Sequence, residues 1–167
     1  MTNTVHNTLK SESSTEIKDT QDTLRLVKLS PSQISKDWDN ISDMFESVLP
    51  PTSSEKNTTR MIGLQKVLLA GAGECWVLLR GEKSLLIFTS YIWVDVITKD
   101  RNYIIYTLYG FVPIKPLIWT FLFNAVMKKA KEYKCNKVIG YSSVPRVSEL
   151  AKSLGWDTEC RFLSVEV

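Results

Sequence analysis

One stretch of the chain, residues 103–127, limits the possible folds more than any other feature. Its only charged residue is Lys115. The stretch is long enough to cross a bilayer as a helix, but Pro113 and Pro116 near its centre would interrupt the backbone hydrogen bonds of that helix. Its first half is rich in β-branched and aromatic residues, whereas apolar residues recur at helical spacing in its second half. We therefore interpret it as a buried strand and a buried helix that meet at a proline-marked corner.

Three segments with strand character, residues 75–79, 85–96 and 103–112, are rich in Val, Ile, Tyr, Trp and Phe. Charged turns separate them at residues 80–83 and 99–102. Strands joined by such short turns pair in antiparallel fashion. The sequence therefore predicts a three-stranded meander.

Helices are predicted on both sides of this meander. The first follows Ser30, where Pro31 at the first helical position and Gln33 complete a capping-box pattern, and it runs to the Pro50-Pro51 pair. The other predicted helices begin at residues 52–54, after Pro116 and at Ser143, and further short strands are predicted at residues 24–29, 137–141 and 162–167. The element order β-α-α-β-β-β-α-β-α-β indicates an α/β (α+β) domain.

Residues 1–22 form a polar segment with almost no large apolar side chains. Such a segment cannot offset the entropy of ordering by burying apolar surface. We expect a disordered tail at residues 1–22 and one folded domain at residues 23–167.

Several classes of function are disfavoured by residue content. A net charge of +3 is too small to indicate nucleic acid, and the basic run at residues 128–137 reads as the solvated face of a helix. The only histidine, His6, lies in the polar tail and no CxxC pair occurs, which argues against a metal site and against histidine-dependent catalysis. The three cysteines, Cys75, Cys135 and Cys160, indicate reduced thiols and a cytoplasmic protein.

Three stretches resemble the GNAT (N-acetyltransferase-like) superfamily. The segment LFNAVMKKAKEYKCNKVIGY, from Leu122 to Tyr141, is similar to the helix and strand that follow the family's cofactor loop, and Leu-Gly-Trp at Trp156 is similar to the Leu-Gly-Phe that ends the family's next helix. The stretch Gly71–Leu79 resembles a strand of the divergent GNAT-like proteins of tailed phages. The resemblance implies a mixed, mostly antiparallel sheet flanked by helices, and acetyl-CoA as the cofactor of active members.

The sequence departs from the family at the cofactor loop. The family holds the pyrophosphate of coenzyme A with an Arg/Gln-x-x-Gly-x-Gly/Ala loop, and the resemblance places Ile114, Leu117 and Trp119 at those positions. The tyrosine that serves many members as general acid is replaced by Ala151. The remaining candidates for cofactor binding are Phe111, Val112, Leu117, Ile118, Trp119 and Thr120.

Two acids within the meander, Asp95 and Glu74, are the candidate general bases. Asp95 has Val94 and Val96 as neighbours, so we expect it to be partly buried with a raised pKa. The aromatic side chains around Trp119 are expected either to fill the groove where coenzyme A would lie or to form an exposed patch.

These features predict a GNAT-fold protein with a degenerate acetyl-CoA loop, no bound cofactor, and a non-catalytic binding or structural role with protein partners. The phage resemblance adds a role in a virion or its assembly, in the host cytoplasm. The alternative is an acetyl-CoA-dependent N-acetyltransferase with an atypical cofactor loop, acting on an amine or a protein lysine. A third hypothesis, peripheral membrane attachment through residues 103–127, ranks last.

Overall fold

The computed structural model describes residues 23–50, 55–142 and 144–159. The strands are β1 (Leu24–Lys28), β2 (Gly73–Arg80), β3 (Lys83–Val94), β4 (Arg101–Gly110) and β5 (Lys137–Gly140). The helices are α1 (Pro31–Lys36), α2 (Trp38–Glu46), α3 (Asn57–Leu69), α4 (Pro116–Glu132) and α5 (Pro145–Ser153). The predicted tail, the predicted helix start at residues 52–54, the Ser143 cap and the final strand at residues 162–167 lie outside the described residues.

The five strands form one sheet in the order β1-β2-β3-β4-β5. Neighbouring strands from β1 to β4 pair in antiparallel fashion, and β4 pairs with β5 in parallel because α4 carries the chain back across the sheet. The predicted meander of β2, β3 and β4 is confirmed, as is the mixed, mostly antiparallel sheet flanked by helices.

Each face of the sheet is covered by its own hydrophobic core. Phe88 of β3 lies in the core beneath α4, together with Leu122 and Val126 of that helix. The adjacent residue, Ile87, lies in the core on the other face, together with Phe45 of α2. Successive side chains of a strand point to opposite faces, so the continuous apolar run in β3 is explained by burial on both sides.

The first predicted helix is interrupted in the structure. Its start is confirmed, because the Ser30 N–H donates to Gln33 Oε1 over 2.8 Å and the Gln33 N–H donates to Ser30 Oγ over 3.3 Å. A single helix up to Pro50 is wrong: Asp37, at φ −104° and ψ 14°, ends α1 and begins α2. Aspartate has a low helix propensity because its side chain competes with helical hydrogen bonding. Ile34 and Phe45 still reach the same core.

Residues 103–127 divide between β4 and α4, as the proline-marked corner predicts. Within the described residues, no helix is long and apolar enough to cross a membrane. The corner itself, residues 111–115, joins the end of β4 to the first turn of α4.

Candidate functional site

The strands β4 and β5 separate to form a fork. Their pairing runs from Asn102 opposite Lys137 to Ile105 opposite Gly140, where β5 ends. The strand β4 continues to Gly110, so its second half has no β5 partner among the described residues. Backbone groups on that edge of β4 are therefore available to whatever occupies the fork.

A β-bulge lies at the point where the fork opens. In the pairing of β3 with β4, Ser90 is opposite Ile105 and Thr89 is opposite Thr107, so the register skips Tyr106. Tyr106 follows directly after the last residue of β4 that pairs with β5. Bulges bend the strand and redirect side chains, and they are frequent beside binding and active sites.

Three tyrosines come together around the bulge. The ring of Tyr106 meets the ring of Tyr91 edge to face, with 5.8 Å between centroids. Burial raises the pKa of Tyr91, and the nearby phenols of Tyr141 and Tyr106 raise it further. Local sequence patterns do not group Tyr91, Tyr106 and Tyr141, because these residues lie on or next to three separate strands.

A cleft of about 690 Å³ opens on the α4 side of β5. Its lining comes from α4 (Thr120, Phe123, Asn124, Met127), from residues 137–141 and from residues 154–157. Most of this lining is apolar, which suits an elongated organic ligand or an apolar side chain.

An aromatic row runs from α4 to the end of β5. Trp119 stacks on Phe123 with 5.8 Å between ring centroids, and Phe123 contacts Trp156 with 5.1 Å between centroids. The Trp156 ring lies 4.0 Å from the position that a Cβ on Gly140 would occupy. Trp119 is partly buried against the core beneath α4. Phe123 and Trp156 line the cleft, and Trp156 lies beside the end of β5, where the fork opens.

The first turn of α4, which follows the corner, offers few backbone donors. Pro116, the first residue of α4, has no N–H, and the N–H groups of Ile118 and Trp119 both donate to the Lys115 carbonyl. At most one N–H of these first four positions, that of Leu117, remains for a ligand. A pyrophosphate needs several convergent backbone donors at a helix N-terminus, and the first turn of α4 supplies at most one, so this turn does not fit a pyrophosphate.

The six cofactor-binding candidates differ in their surroundings. Phe111 donates its N–H to the Leu85 carbonyl, and Thr120 Oγ1 donates to the Pro116 carbonyl over 3.2 Å. Ile118 is buried, whereas Leu117 is 79% exposed. Val112 and Trp119 pack against the core beneath α4. All of them except Leu117 are therefore engaged in packing or in local hydrogen bonds around the corner.

Asp95 differs from its predicted environment. Its Oδ1 accepts the N–H groups of Ile97 and Thr98, each over 2.8 Å, in the turn between β3 and β4. These two hydrogen bonds lower the pKa of Asp95, so the predicted raised pKa is wrong. The turn adjoins Arg101 at the start of β4, which is about 17 Å along the strand from the bulge at Tyr106.

Glu74 lies in a network that joins the sheet to the end of α4. Its Oε1 accepts Lys28 Nζ over 2.6 Å and the Tyr133 hydroxyl over 2.6 Å, and its Oε2 accepts Trp76 Nε1 over 3.2 Å. The Glu74 side chain is only 14% exposed. Both carboxylate oxygens are engaged, and this arrangement holds β1, β2 and α4 together.

No protein-family model matches the sequence, and no curated protein matches it at a significant level. Solved structures do match the fold. A possible acetyltransferase from Clostridium difficile 630 aligns with a TM-score of 0.61 at 14% identity, over 86% of this chain and 96% of its own. A ribosomal-protein-alanine N-acetyltransferase from Brucella melitensis biovar Abortus 2308 aligns with a TM-score of 0.61 at 12% identity, over 87% of this chain and 99% of its own.

An aminoglycoside N-acetyltransferase in complex with CoA also aligns, with a TM-score of 0.62 at 8% identity, over 87% of this chain and 95% of its own. At these identities the likeness is one of fold. The GNAT fold expected from the resemblance is confirmed.

Proposed function

We propose that this GNAT-fold protein is a non-catalytic binding module whose fork and cleft receive a protein partner instead of acetyl-CoA. The first turn of α4 carries this proposal, because Pro116 has no N–H and the Lys115 carbonyl accepts the N–H groups of Ile118 and Trp119. Glycine-rich loops bind phosphate through several free backbone N–H groups and a close backbone approach, whereas the first turn of α4 has at most one free N–H, that of Leu117, and no glycine.

The aromatic row supports a binding role as well. Phe123 and Trp156 contact each other and line the cleft of about 690 Å³, whose walls are mainly apolar. Aromatic side chains in a partly open cleft are the usual anchors of protein interfaces. A cleft of this kind suits an apolar side chain or a short segment of a partner protein.

The biological setting forms part of the same proposal. The similarity of Gly71–Leu79 to the GNAT-like proteins of tailed phages supports a role in a virion or in its assembly in the host cytoplasm. Mass spectrometry of purified particles tests it, and the presence of the protein at a fixed copy number is the expected result. Absence from particles and from their assembly intermediates would contradict this setting.

One observation favours a second candidate, an N-acetyltransferase with an atypical cofactor loop acting on an amine or a protein lysine. The bulge at Tyr106 lies where β4 leaves β5, and it leaves backbone groups facing the fork. Tyr91 and Tyr141 adjoin it and supply phenols that can donate or accept hydrogen bonds. If the protein is such an acetyltransferase, the corner would not hold the pyrophosphate through backbone donors.

Calorimetric titration with acetyl-CoA and with coenzyme A distinguishes the two candidates. For the folded, monodisperse wild type we expect no binding tighter than about 1 mM. Trp119→Gly opens the row, and Pro116→Ala restores one N–H to the corner. Pro145→Ala is the matched control, because Pro145 occupies the same first position in α5.

The alternatives give different patterns in this titration. Micromolar binding by the wild type would overturn the non-catalytic proposal and call for a screen of amine substrates. Binding gained by Pro116→Ala but not by Pro145→Ala would assign the defect to the missing donor at the corner.

A further inference from the structure

The turn that joins β3 to β4 exposes apolar side chains to solvent. We name residues 93–100 the hairpin tip. Ile97 is 86% exposed and Val96 is 78% exposed, while Trp93 and Val94 are 46% and 41% exposed. Exposed apolar residues that are scattered singly need no explanation, but four of them within five consecutive positions form a patch.

The hairpin tip is held in one shape by its own hydrogen bonds. Asp95 Oδ1 accepts the N–H groups of Ile97 and Thr98, and the Lys99 N–H donates to the Asp95 carbonyl over 2.9 Å. Lys99 adopts a φ of 62°, and its Nζ donates to the Val96 carbonyl over 2.7 Å. The exposed apolar side chains are therefore presented by an ordered turn, which lowers the entropic cost of binding through them.

Positive charge surrounds the hairpin tip. Arg101 follows it directly, and the Asn136 N–H donates to the Arg101 carbonyl over 2.7 Å, which brings the loop between α4 and β5 alongside. Lys134, in that loop, and Lys137, at the start of β5, are both exposed. Lys99 adds a fourth cation to this set.

The acids in the same region are mostly engaged. Asp95 accepts two backbone N–H groups, Glu74 accepts Lys28 and Tyr133, and Glu132 pairs with Lys129 over 2.6 Å. Asp100 is the remaining acid of the hairpin tip. The four cations, Lys99, Arg101, Lys134 and Lys137, therefore outnumber the two acids of the tip, and the surroundings of the apolar patch carry net positive charge.

We propose that the hairpin tip is a membrane-docking site, which inserts Val96 and Ile97 into the interface of a bilayer that contains anionic lipid. Aliphatic residues and a tryptophan suit the boundary between headgroups and acyl chains, and the surrounding lysines suit anionic headgroups. The surface area of a convex tip made by one turn is small compared with the roughly 800 Å² that each partner buries in a standard protein interface. The site is separate from residues 103–127, the region in which the sequence suggested any membrane contact, and it is independent of the function proposed for the fork.

Sedimentation of the full chain with vesicles tests this proposal. We expect binding to vesicles of phosphatidylcholine with roughly one third phosphatidylserine, and little binding to phosphatidylcholine alone. Val96→Ser with Ile97→Ser should weaken binding at least about tenfold. Lys134→Gln with Lys137→Gln should weaken it on the order of tenfold or more, because each cation contributes about fivefold at an anionic surface.

Matched controls lie at the other end of the sheet. Val144→Ser replaces an aliphatic residue that is 52% exposed, and Lys83→Gln with Lys115→Gln removes two exposed lysines. Both controls should bind as the wild type does. Circular dichroism checks folding, which the tip variants should retain because their side chains are already in solvent.

The proposal is overturned if the wild type binds both kinds of vesicle equally, or if the tip variants bind as tightly as the wild type. It is also overturned if the wild type stays in the supernatant with both vesicles. A tip-dependent dimer in analytical ultracentrifugation, without vesicle binding, would assign the patch to a protein contact instead.

Discussion

Leu122→Ala is expected to lower the free energy of unfolding by about 3–5 kcal/mol, because it leaves a cavity in the core beneath α4. Leu122 is fully buried and packs in the same cluster as Phe88 and Val126. The matched control is Leu117→Ala in the same helix, where the leucine is 79% exposed. The control should change the free energy of unfolding by less than about 0.5 kcal/mol.

Urea denaturation followed by circular dichroism measures both variants. The two substitutions change helix propensity in the same way, so the difference between them reports on burial alone. Similar losses in the free energy of unfolding for Leu117→Ala and Leu122→Ala would show that α4 does not pack on the sheet through the face that carries Leu122. The orientation of α4 also sets the corner and the aromatic row, so this pair of variants tests the framework of the candidate site.

Glu74→Ala is expected to lower the free energy of unfolding by about 2–4 kcal/mol at neutral pH, because it leaves three donors without their acceptor. Lys28, Trp76 and Tyr133 all donate to this carboxylate, whose side chain is 14% exposed. Glu82→Ala is the control. Glu82 is fully exposed and lies 3.9 Å from Arg25, so its removal should leave the stability close to that of the wild type.

Equal effects of the two glutamate substitutions in urea denaturation would argue against the network around Glu74. A double-mutant cycle with Tyr133→Phe isolates the coupling between the carboxylate and the phenol. A coupling energy near zero would show that the Tyr133 hydroxyl does not depend on Glu74.

The same network predicts that the free energy of unfolding decreases at alkaline pH. The hydrogen bond to Glu74 is the main cause that raises the pKa of Tyr133 to about 12, from an ordinary value near 10. The folded state therefore favours the protonated phenol, and this stabilisation is present below pH about 10 and is lost as the pH rises towards about 12. Burial also raises the pKa values of Tyr91 and Tyr103, and both residues remain in Tyr133→Phe.

The free energy of unfolding of the wild type should thus fall more steeply over this pH range than that of Tyr133→Phe. Urea titrations at several pH values measure the two slopes. Parallel slopes would show that Tyr133 does not titrate with folding.

Most elements of the fold could be predicted because their signals are local. The capping box at Ser30 and Gln33 and the proline at Pro116 each mark a helix start within a few residues. The long strands of the meander follow from runs of β-branched and aromatic residues. The missing donor at the corner is also a local property, because proline has no N–H wherever it stands.

The prediction for the environment of Asp95 failed although the deciding interaction is local, because the geometry of the turn is not visible in the sequence. Asp95 has apolar neighbours in sequence, and these predicted a partly buried environment for it. In the structure Asp95 accepts the N–H groups of Ile97 and Thr98, and the apolar neighbours point into solvent. Aspartate commonly makes such a bond to the backbone two residues on, and that bond replaces burial as the cause of its pKa shift.

The sequence by itself determined the type and order of most elements, the apolar faces and the missing N–H of Pro116 at the start of α4, since these depend on side-chain chemistry and on spacing along the chain. Only the tertiary structure decided where β4 leaves β5, that the bulge falls at Tyr106, and that Glu74 joins Lys28 to Tyr133. These features arise between residues that are far apart along the chain: Lys28 and Glu74 are separated by 46 positions, and Glu74 and Tyr133 by 59. Contacts at that separation depend on how whole elements pack, and local residue patterns do not encode this packing.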